Sequence, residues 1–229
     1  MSTSQQPSPG YIDAYTRQFR ISPRDTALVI VDLQYASGSR DYGLGRLLHA
    51  AGQLPDAEYR FSRIDRLVVP NTRRLAEEFR TMGAKVVYVT YGCNVPDFAD
   101  APVQLRAWLL ATNNRVGARE HEIIDELKPA ENDLVLNKNT MGAFASTGID
   151  AHLKSMGVRN IVVTGVSTNN CVGMTAMEAS DRQYGVVLAS DATGTCSDEM
   201  QDATERTFRR LWGRVADTAS ILAEMRTNV

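Results

Sequence analysis

Cysteine and histidine are both scarce in this chain of 229 residues, which contains three of each. An odd number of cysteines at wide spacing argues against a disulfide framework and favours a reducing compartment. The sequence contains neither Cys-x-x-Cys nor His-x-x-x-His, and no histidine stands near an aspartate at the spacing of metal ligands. We therefore expect neither a disulfide nor a bound metal.

Long apolar runs and a strong charge imbalance are absent as well. No run approaches the ~20 apolar residues that a membrane-spanning helix needs. The formal net charge of −2 favours neither nucleic acid nor an anionic membrane surface as a partner. The opening residues, MSTSQQPSPG, are polar and lack the apolar core of a signal peptide. These absences predict a cytoplasmic protein without nucleic-acid or membrane partners.

Signatures of nucleotide cofactors are missing too. The P-loop pattern does not occur, and the stretch GLGRLL (43–48) lacks the third glycine of a dinucleotide fingerprint. That stretch also does not follow a predicted strand, so we expect no cofactor.

Short apolar runs alternate with amphipathic segments along most of the chain. The runs are continuous and rich in β-branched residues, as in parallel strands that are covered on both faces. Strands are predicted at 27–31, 85–90, 134–136, 161–163 and 186–189. Helices are predicted around 64–79, 149–156 and 198–212. This alternation predicts an α/β fold with three αβα layers around an open, mostly parallel, doubly wound sheet.

Reactive side chains follow three of the predicted strands. Asp32 follows ALVIV, Lys138 follows LVLN, and Cys171 comes one turn after IVVTGVSTNN. In open parallel sheets, ligands bind at the carboxyl ends of the strands. The sequence therefore places a carboxylate, an amine and a thiol at the edge where a ligand is expected.

Each of these residues also has an ordinary structural reading. A single cysteine is usually a buried filler, Asp32 fits a capping role, and Lys138 can extend to solvent. A position at a helix N-terminus, however, favours the thiolate and lowers the thiol pKa. A neighbouring carboxylate can take the thiol proton and return it to a leaving amine. This chemistry needs no histidine.

The histidines lie away from the predicted strand ends. His49 falls in or beside a helix or loop, and His121 and His152 are expected to be surface helix residues.

Three motifs resemble the isochorismatase-like cysteine hydrolases. They are TALVIVDLQ around Asp32, LNKNTMGAFASTGIDAHL around Lys138 and Phe144, and VVTGVSTNNCV around Cys171. The resemblance begins near Thr26, which divides the chain into a partly flexible N-terminal arm, 1–25, and a hydrolase domain, 26–229. It implies an Asp32–Lys138–Cys171 catalytic triad.

The same resemblance implies the local geometry of the cysteine segment. It predicts a cis peptide bond between Val166 and Ser167 and an oxyanion hole formed by the backbone N–H groups of Ser167 and Cys171.

Departures from the patterns of subfamilies narrow the expected activity. Isochorismatases that cleave a vinyl ether usually lack the cysteine, which is present here. Nicotinamidases carry metal-binding histidines, whereas YGCNVPDFAD (91–100) stands at the corresponding position. The resemblance therefore implies a metal-free amidohydrolase that cleaves a linear C–N bond of an amide, carbamoyl or ureido compound through a thioester. An isochorismatase-type ether hydrolase and a nicotinamidase-like amidase are the alternatives.

Loops at about 35–60 and 91–119 are expected to surround the substrate, which is a small molecule. The candidate binding residues are Gln34, Tyr35, Tyr91, Asn94, Trp108, Arg115 and Phe144. The resemblance also implies a homo-oligomer, either a tetramer or a dimer. The arm segment YIDAYTRQF (11–19) either packs on a neighbouring subunit or lies on its own.

Overall fold

A six-stranded parallel sheet runs through the centre of the computed structural model, which describes residues 13–228. The strands are β1 (Thr26–Val31), β2 (Lys85–Tyr91), β3 (Leu134–Lys138), β4 (Asn160–Val166), β5 (Gly185–Gly194) and β6 (Arg214–Ala216). Their order is β3-β2-β1-β4-β5-β6, and every pairing is parallel. The chain thus winds outward from β1 to β3 and then continues on the other side of β1. This arrangement confirms the predicted doubly wound sheet.

Helices cover both faces of the sheet. Within the described residues they are α1 (Tyr35–Gly38), α2 (Gly43–Ala50), α3 (Glu58–Arg63), α4 (Val69–Thr81), α5 (Arg106–Thr112), α6 (Ile149–Ser155), α7 (Gly173–Asp181), α8 (Asp198–Arg209) and α9 (Thr218–Thr227). Short 3-10 turns occur at Asp13–Tyr15, Leu54–Ala57, Arg119–His121 and Asp125–Leu127, and π-helical turns at Ile64–Val68 and Thr168–Val172. None of the helices in residues 13–228 is long and apolar enough to cross a membrane.

The core is split in two by the sheet, because successive side chains of a strand point to opposite faces. Leu28 and Ile30 of β1 pack in a cluster with residues of α4 and α9. Val29 and Val31 pack in a second cluster with residues of α6, α7 and α8. All six residues of β1 are buried, so this strand carries two buried faces and its alternating pattern is hidden in the sequence.

Two elements differ from the predictions. Strand β6 was not predicted, because its three residues are only half-buried at the edge of the sheet. The predicted helix around 64–79 begins with the π-helical turn Ile64–Val68 and continues as α4, and α3 precedes it directly as an unpredicted helix. Pro70 lies in the first turn of α4, where its missing N–H has little cost.

The described part of the N-terminal arm lies on its own chain. Thr16 donates its hydroxyl to the carbonyl of Arg209 at 3.3 Å, and the backbone N–H of Ile21 donates to Glu224 Oε1 at 3.0 Å. Residues 1–12, where most of the flexibility was predicted, lie outside the described residues. The arm boundary at residue 25 stays a prediction.

Candidate active site

A cavity of about 230 Å³ opens at the carboxyl edge of the sheet. It lies beside the ends of β1 and β4, the neighbouring strands between which the strand order reverses. The lining residues are Asp32, Gln34, Ser37, Leu44, Arg60, Tyr91, Leu105, Trp108, Asn114, Met141, Val166, Ser167, Asn170 and Cys171.

Asp32 is held rigidly where β1 ends. Its backbone N–H donates to the carbonyl of Val89 on β2 at 2.9 Å, and its own carbonyl accepts the hydroxyl of Ser37 at 2.6 Å. Its φ of +52° lies in the left-handed region, which aspartate tolerates better than most residues. The chain therefore turns sharply at Asp32 and leaves its buried carboxylate at the cavity.

Lys138 is the last residue of β3, two strands away from β1. Its side chain crosses the ring of Tyr91, with Nζ 4.1 Å from the ring centre. Nζ then donates to Asp32 Oδ2 at 3.0 Å and to the carbonyl of Thr140 at 3.2 Å. Neighbouring strands lie about 4.8 Å apart, so a side chain as long as lysine is needed to span two strands. The amine is completely buried.

Cys171 lies in the π-helical turn Thr168–Val172, between β4 and α7. Its Sγ is 3.4 Å from Met141 Sδ. The approach to this turn is fixed by Gly165, whose φ is +113° and where an added Cβ would lie 1.9 Å from the carbonyl oxygen of Val31. The peptide bond between Val166 and Ser167 is cis. The end of β4 thus passes close against β1 and brings Cys171 beside Asp32.

The electrostatics of the cysteine differ from the sequence prediction. Burial raises the pKa of the Cys171 thiol, and the Asp32 carboxylate raises it further. The prediction that the helix N-terminus lowers the pKa of Cys171 is therefore wrong, because desolvation raises this pKa by more than the Lys138 charge lowers it. The resting cysteine is protonated, and a base is needed to activate it.

Asp32 and Lys138 form a buried ion pair beside this thiol. Burial raises the pKa of Asp32 against the opposing effect of the Lys138 charge. Burial disfavours the charged lysine, but the carboxylate of Asp32 and the side chain of Cys171 raise the pKa of Lys138 above its ordinary value. Oδ1 of Asp32 has no hydrogen-bond partner among the described residues. This oxygen is free to accept a proton.

Three further candidate residues line the same cavity. The rings of Tyr91 and Trp108 stack with centres 6.3 Å apart. Gln34 donates to the carbonyls of Tyr91 and His121 and accepts the N–H of Tyr91. Because backbone groups occupy both ends of its amide, Gln34 holds the cavity wall together and its polar atoms are not free for a ligand.

The two other aromatic candidates lie elsewhere. Tyr35 lines a separate surface groove, where its ring is covered by the guanidinium of Arg119 at 3.9 Å. Phe144 packs in the core beside the ring of Tyr184 at 5.9 Å. Neither ring lines the cavity beside Cys171, because tertiary partners hold both rings elsewhere.

The two polar candidates are also displaced. Asn94 donates its side-chain amide to Asp100 Oδ2 at 2.9 Å and is exposed. Arg115 forms a backbone bridge with Cys93 behind the cavity wall. Neither lines the cavity: Asn94 and Arg115 lie in the loops before and after α5, the helix that carries Trp108.

Several cavity residues were not predicted. Arg60 on α3 donates through Nη1 to Ser167 Oγ at 2.7 Å and through Nη2 to the carbonyl of Ser37 at 3.0 Å. Asn114 is buried, and its Oδ1 has no hydrogen-bond partner among the described residues. Arg60 lies four residues before buried Ile64, on the face of the helix that should be apolar. This charge on an otherwise apolar face was the feature of the sequence that could have indicated a functional role for Arg60.

His121 was also placed wrongly. It lies in the 3-10 turn Arg119–His121 and is half-buried, with Nε2 2.8 Å from Asn137 Oδ1. Burial lowers the pKa of His121, so the ring is neutral near the site. His152 is exposed on α6, as predicted. Within residues 13–228, no group of three or more His, Cys, Asp or Glu side chains is arranged to hold a metal.

A doubly wound sheet with a cavity at its switch point is the arrangement in which α/β proteins bind their ligands. The Isochorismatase domain model matches residues 26–220. The chain belongs to the isochorismatase family, and the predicted family is confirmed.

Relatives by sequence and structure agree with this assignment. The ureidoacrylate amidohydrolase RutB of Acinetobacter baylyi is 28% identical, and the alignment covers 95% of this chain and 90% of RutB. A cysteine hydrolase of Pseudomonas syringae pv. phaseolicola shares the fold, with a TM-score of 0.77 and 22% identity over 93% of this chain and 97% of that one. N-carbamoylsarcosine amidase of Thermoplasma acidophilum is 27% identical with a TM-score of 0.62, over 85% of this chain and 96% of that one.

Proposed function

We propose that the protein is a cysteine-dependent amidohydrolase that cleaves a linear C–N bond of a small amide, carbamoyl or ureido compound through a thioester. The observation that carries the proposal is that Asp32 and Cys171 line one cavity and that Lys138 is paired with Asp32 behind it. A protonated thiol beside a buried carboxylate with a free oxygen is a nucleophile next to its base.

The names of two relatives support the type of bond. RutB is a ureidoacrylate amidohydrolase, and the structural relative from Thermoplasma acidophilum is an N-carbamoylsarcosine amidase. Asn114 adds support from this chain, because a buried amide oxygen without a partner is satisfied by an N–H of a bound amide or urea.

The first half-reaction forms the thioester. Asp32 takes the proton of Cys171 as Sγ attacks the carbonyl carbon of the substrate. The carbonyl becomes an oxyanion, which the backbone N–H groups of Ser167 and Cys171 receive. The C–N bond then breaks, and the leaving nitrogen takes the proton from Asp32 and departs as ammonia or an amine. Lys138 keeps Asp32 ionised before each step in which Asp32 accepts a proton.

The second half-reaction releases the acid. Asp32, again ionised, takes a proton from a water molecule as its oxygen attacks the thioester carbon. The C–S bond breaks, and the proton returns to the sulfur of Cys171. With a urea as substrate the intermediate is an S-carbamoyl group and the product is a carbamic acid, which loses carbon dioxide.

The test is a screen for released products. Purified protein is incubated with ureidoacrylate, N-carbamoylglycine, nicotinamide and other primary amides, with ammonia as the readout, and with isochorismate, with pyruvate as the readout. We expect ammonia from at least one ureido or carbamoyl compound. Cys171→Ala should abolish release, and the matched variant Cys196→Ser, which alters an exposed cysteine, should retain it.

Other outcomes assign the function differently. Pyruvate without ammonia would make the protein an ether hydrolase, the activity in the name of its family. Ammonia from nicotinamide alone would make it a nicotinamidase-like amidase. We further propose that the protein acts in the cytoplasm on a small molecule as a homo-oligomer, either a dimer or a tetramer.

A further inference from the structure

Arg60 brings a positive charge to the cavity that the proposed chemistry does not use. Its two hydrogen bonds go to uncharged groups, the hydroxyl of Ser167 at 2.7 Å and the carbonyl of Ser37 at 3.0 Å. A guanidinium carries five N–H groups, so three are left. Nε is shielded from solvent and has no hydrogen-bond partner among the described residues.

Arg40, which contacts the same helix, differs from Arg60 in its partners. Arg40 pairs with Glu58 at 2.8 Å and with Asp65 at 3.1 Å. Within residues 13–228, no carboxylate lies within 4.0 Å of the Arg60 guanidinium. Arg60 is half-buried, and burial lowers the pKa of its guanidinium. A partly desolvated cation without a counter-charge is costly, and a bound anion reduces that cost.

The remaining charges of the cavity do not supply the anion. Asp32 is the only carboxylate among the lining residues, and its Oδ2 already accepts from Lys138. The charges of Asp32 and Lys138 cancel, and the thiol of Cys171 is neutral. Arg60 therefore leaves the cavity with one net positive charge.

The shape of the site favours a carboxylate over a phosphate. The planar guanidinium matches the two oxygens of a carboxylate. A phosphate brings up to two charges and needs more than the single unmatched cation present. The cavity of about 230 Å³ is small, and Leu44, Leu105 and Trp108 cover much of its wall. Such a space suits a short, partly apolar ligand with one charged end.

We propose that Arg60 binds a carboxylate of the substrate, and that the enzyme therefore acts on ureido or carbamoyl acids. This inference rests on the proposed function for the reaction, but the binding it describes can be measured separately. Arg60 is hydrogen-bonded to Ser167, the residue assigned to the oxyanion hole. A substrate carboxylate that is bound by Arg60 is therefore separated from the carbonyl that Cys171 attacks by only a few covalent bonds, each about 1.5 Å long.

The experiment compares acids with a neutral counterpart. The acids are ureidoacrylate, N-carbamoylglycine and 3-ureidopropionate, and the neutral compound is 2-hydroxyethylurea. The kcat/KM of the wild type should favour the best acid by about 10- to 100-fold, the range for a hydrogen bond to a charged group. Arg60→Gln should remove this preference mainly by raising KM for the acid, so that kcat/KM falls by a larger factor for the acid than for 2-hydroxyethylurea. Arg60→Lys should keep part of the preference.

The matched control is Arg66→Gln, which removes an exposed positive charge nearby on the π-helical turn Ile64–Val68. It should leave the acid preference unchanged. Circular dichroism and thermal unfolding establish that each variant is folded.

A binding assay separates this inference from the proposed function. Cys171→Ala is titrated with the same compounds, with the fluorescence of Trp108 in the cavity wall as the readout. If an acid binds more tightly than 2-hydroxyethylurea and Arg60→Gln abolishes the difference, the inference about Arg60 is supported. A failure to release ammonia would refute the proposed function but not this inference. Equal binding of acids and 2-hydroxyethylurea would overturn the inference. So would an equal loss of kcat/KM for both, since Arg60 would then only position Ser167.

Discussion

Lys138 is a lysine without any solvent exposure, and its charge is tolerated because Asp32 lies 3.0 Å away. The Asp32–Lys138 pair also allows Cys171 to act as the proposed nucleophile. The thiol of Cys171 has a raised pKa and does not ionise by itself, so its proton has to move to Asp32 during the attack. The activity is expected to depend on the protonation of this carboxylate.

The pH profile should report this dependence. Burial raises the pKa of Asp32 above its ordinary value of about 3.9. Below that raised pKa the carboxylate is protonated and cannot act as the base, so kcat/KM should fall as the pH decreases through it. Lys138→Met removes the charge that lowers the pKa of Asp32. The acidic limb should then move to higher pH, and activity at pH 7 should fall by at least about 100-fold.

Lys154→Met provides the control, because Lys154 pairs with Asp150 on the exposed face of α6. It should leave the pH profile in place. An unchanged acidic limb in Lys138→Met would show that Lys138 does not tune the base. Denaturation of the same variant should reveal a loss of about 3–5 kcal/mol, since it leaves a buried charge without its partner.

The cavity residues at the ends of strands could be predicted from the sequence, whereas those on helices and loops could not. Asp32 and Lys138 directly follow or end apolar runs, and parallel strands bring such positions to one edge. Arg60 and Asn114 reach the same cavity from α3 and from the loop after α5. Their approach to the cavity depends on helix packing and loop conformation, and the only local signal in the sequence is the charge of Arg60 on a face that should be apolar. His121 was misplaced for the same reason.

At the scale of elements, the end of β4 and the π-helical turn after it determine where the cysteine lies. The register of β4 with β5 shifts between Val163 and Gly165, and Gly165 packs directly against the backbone of β1. The sequence indicated the strand and the helix on either side. It did not indicate the irregular backbone between them, because the close contact with Val31 forms only in the folded sheet.

Gly165→Ala should be strongly destabilising. The new Cβ would lie 1.9 Å from the carbonyl oxygen of Val31, at a φ of +113° that side chains rarely adopt. We expect a loss of at least about 3 kcal/mol in the free energy of unfolding, measured by urea denaturation. Gly157→Ala is the matched control: φ is +73° and nothing lies within 4 Å, so the loss should be about 1–2 kcal/mol. Equal losses would contradict the close packing of β4 against β1.

At the scale of the whole molecule, the alternation of strands and helices was sufficient to predict the layered fold. Edge strand β6 was missed because three half-buried residues carry little hydrophobic pattern. Family resemblance implies a dimer or tetramer, and apolar side chains at Val103, Leu110 and Val116 are exposed around α5, a feature of surfaces that associate.

Light scattering on the purified protein should therefore give two or four times the 25.2 kDa of one chain. The measurement is repeated over a tenfold range of concentration, because a specific assembly keeps its mass on dilution. A mass of one chain at every concentration would contradict the prediction.

The central claim is that the sulfur of Cys171 forms a bond with the carbonyl carbon of the substrate. Acid quenching of the enzyme during turnover of a ureido or carbamoyl compound, followed by peptide mass spectrometry, tests this claim most directly. We expect a peptide that contains Cys171 to carry the acyl or carbamoyl group, and no such adduct on Cys93 or Cys196. Turnover at the wild-type rate by Cys171→Ala in the parallel sample, with no adduct on Cys171 in the wild type, would contradict it.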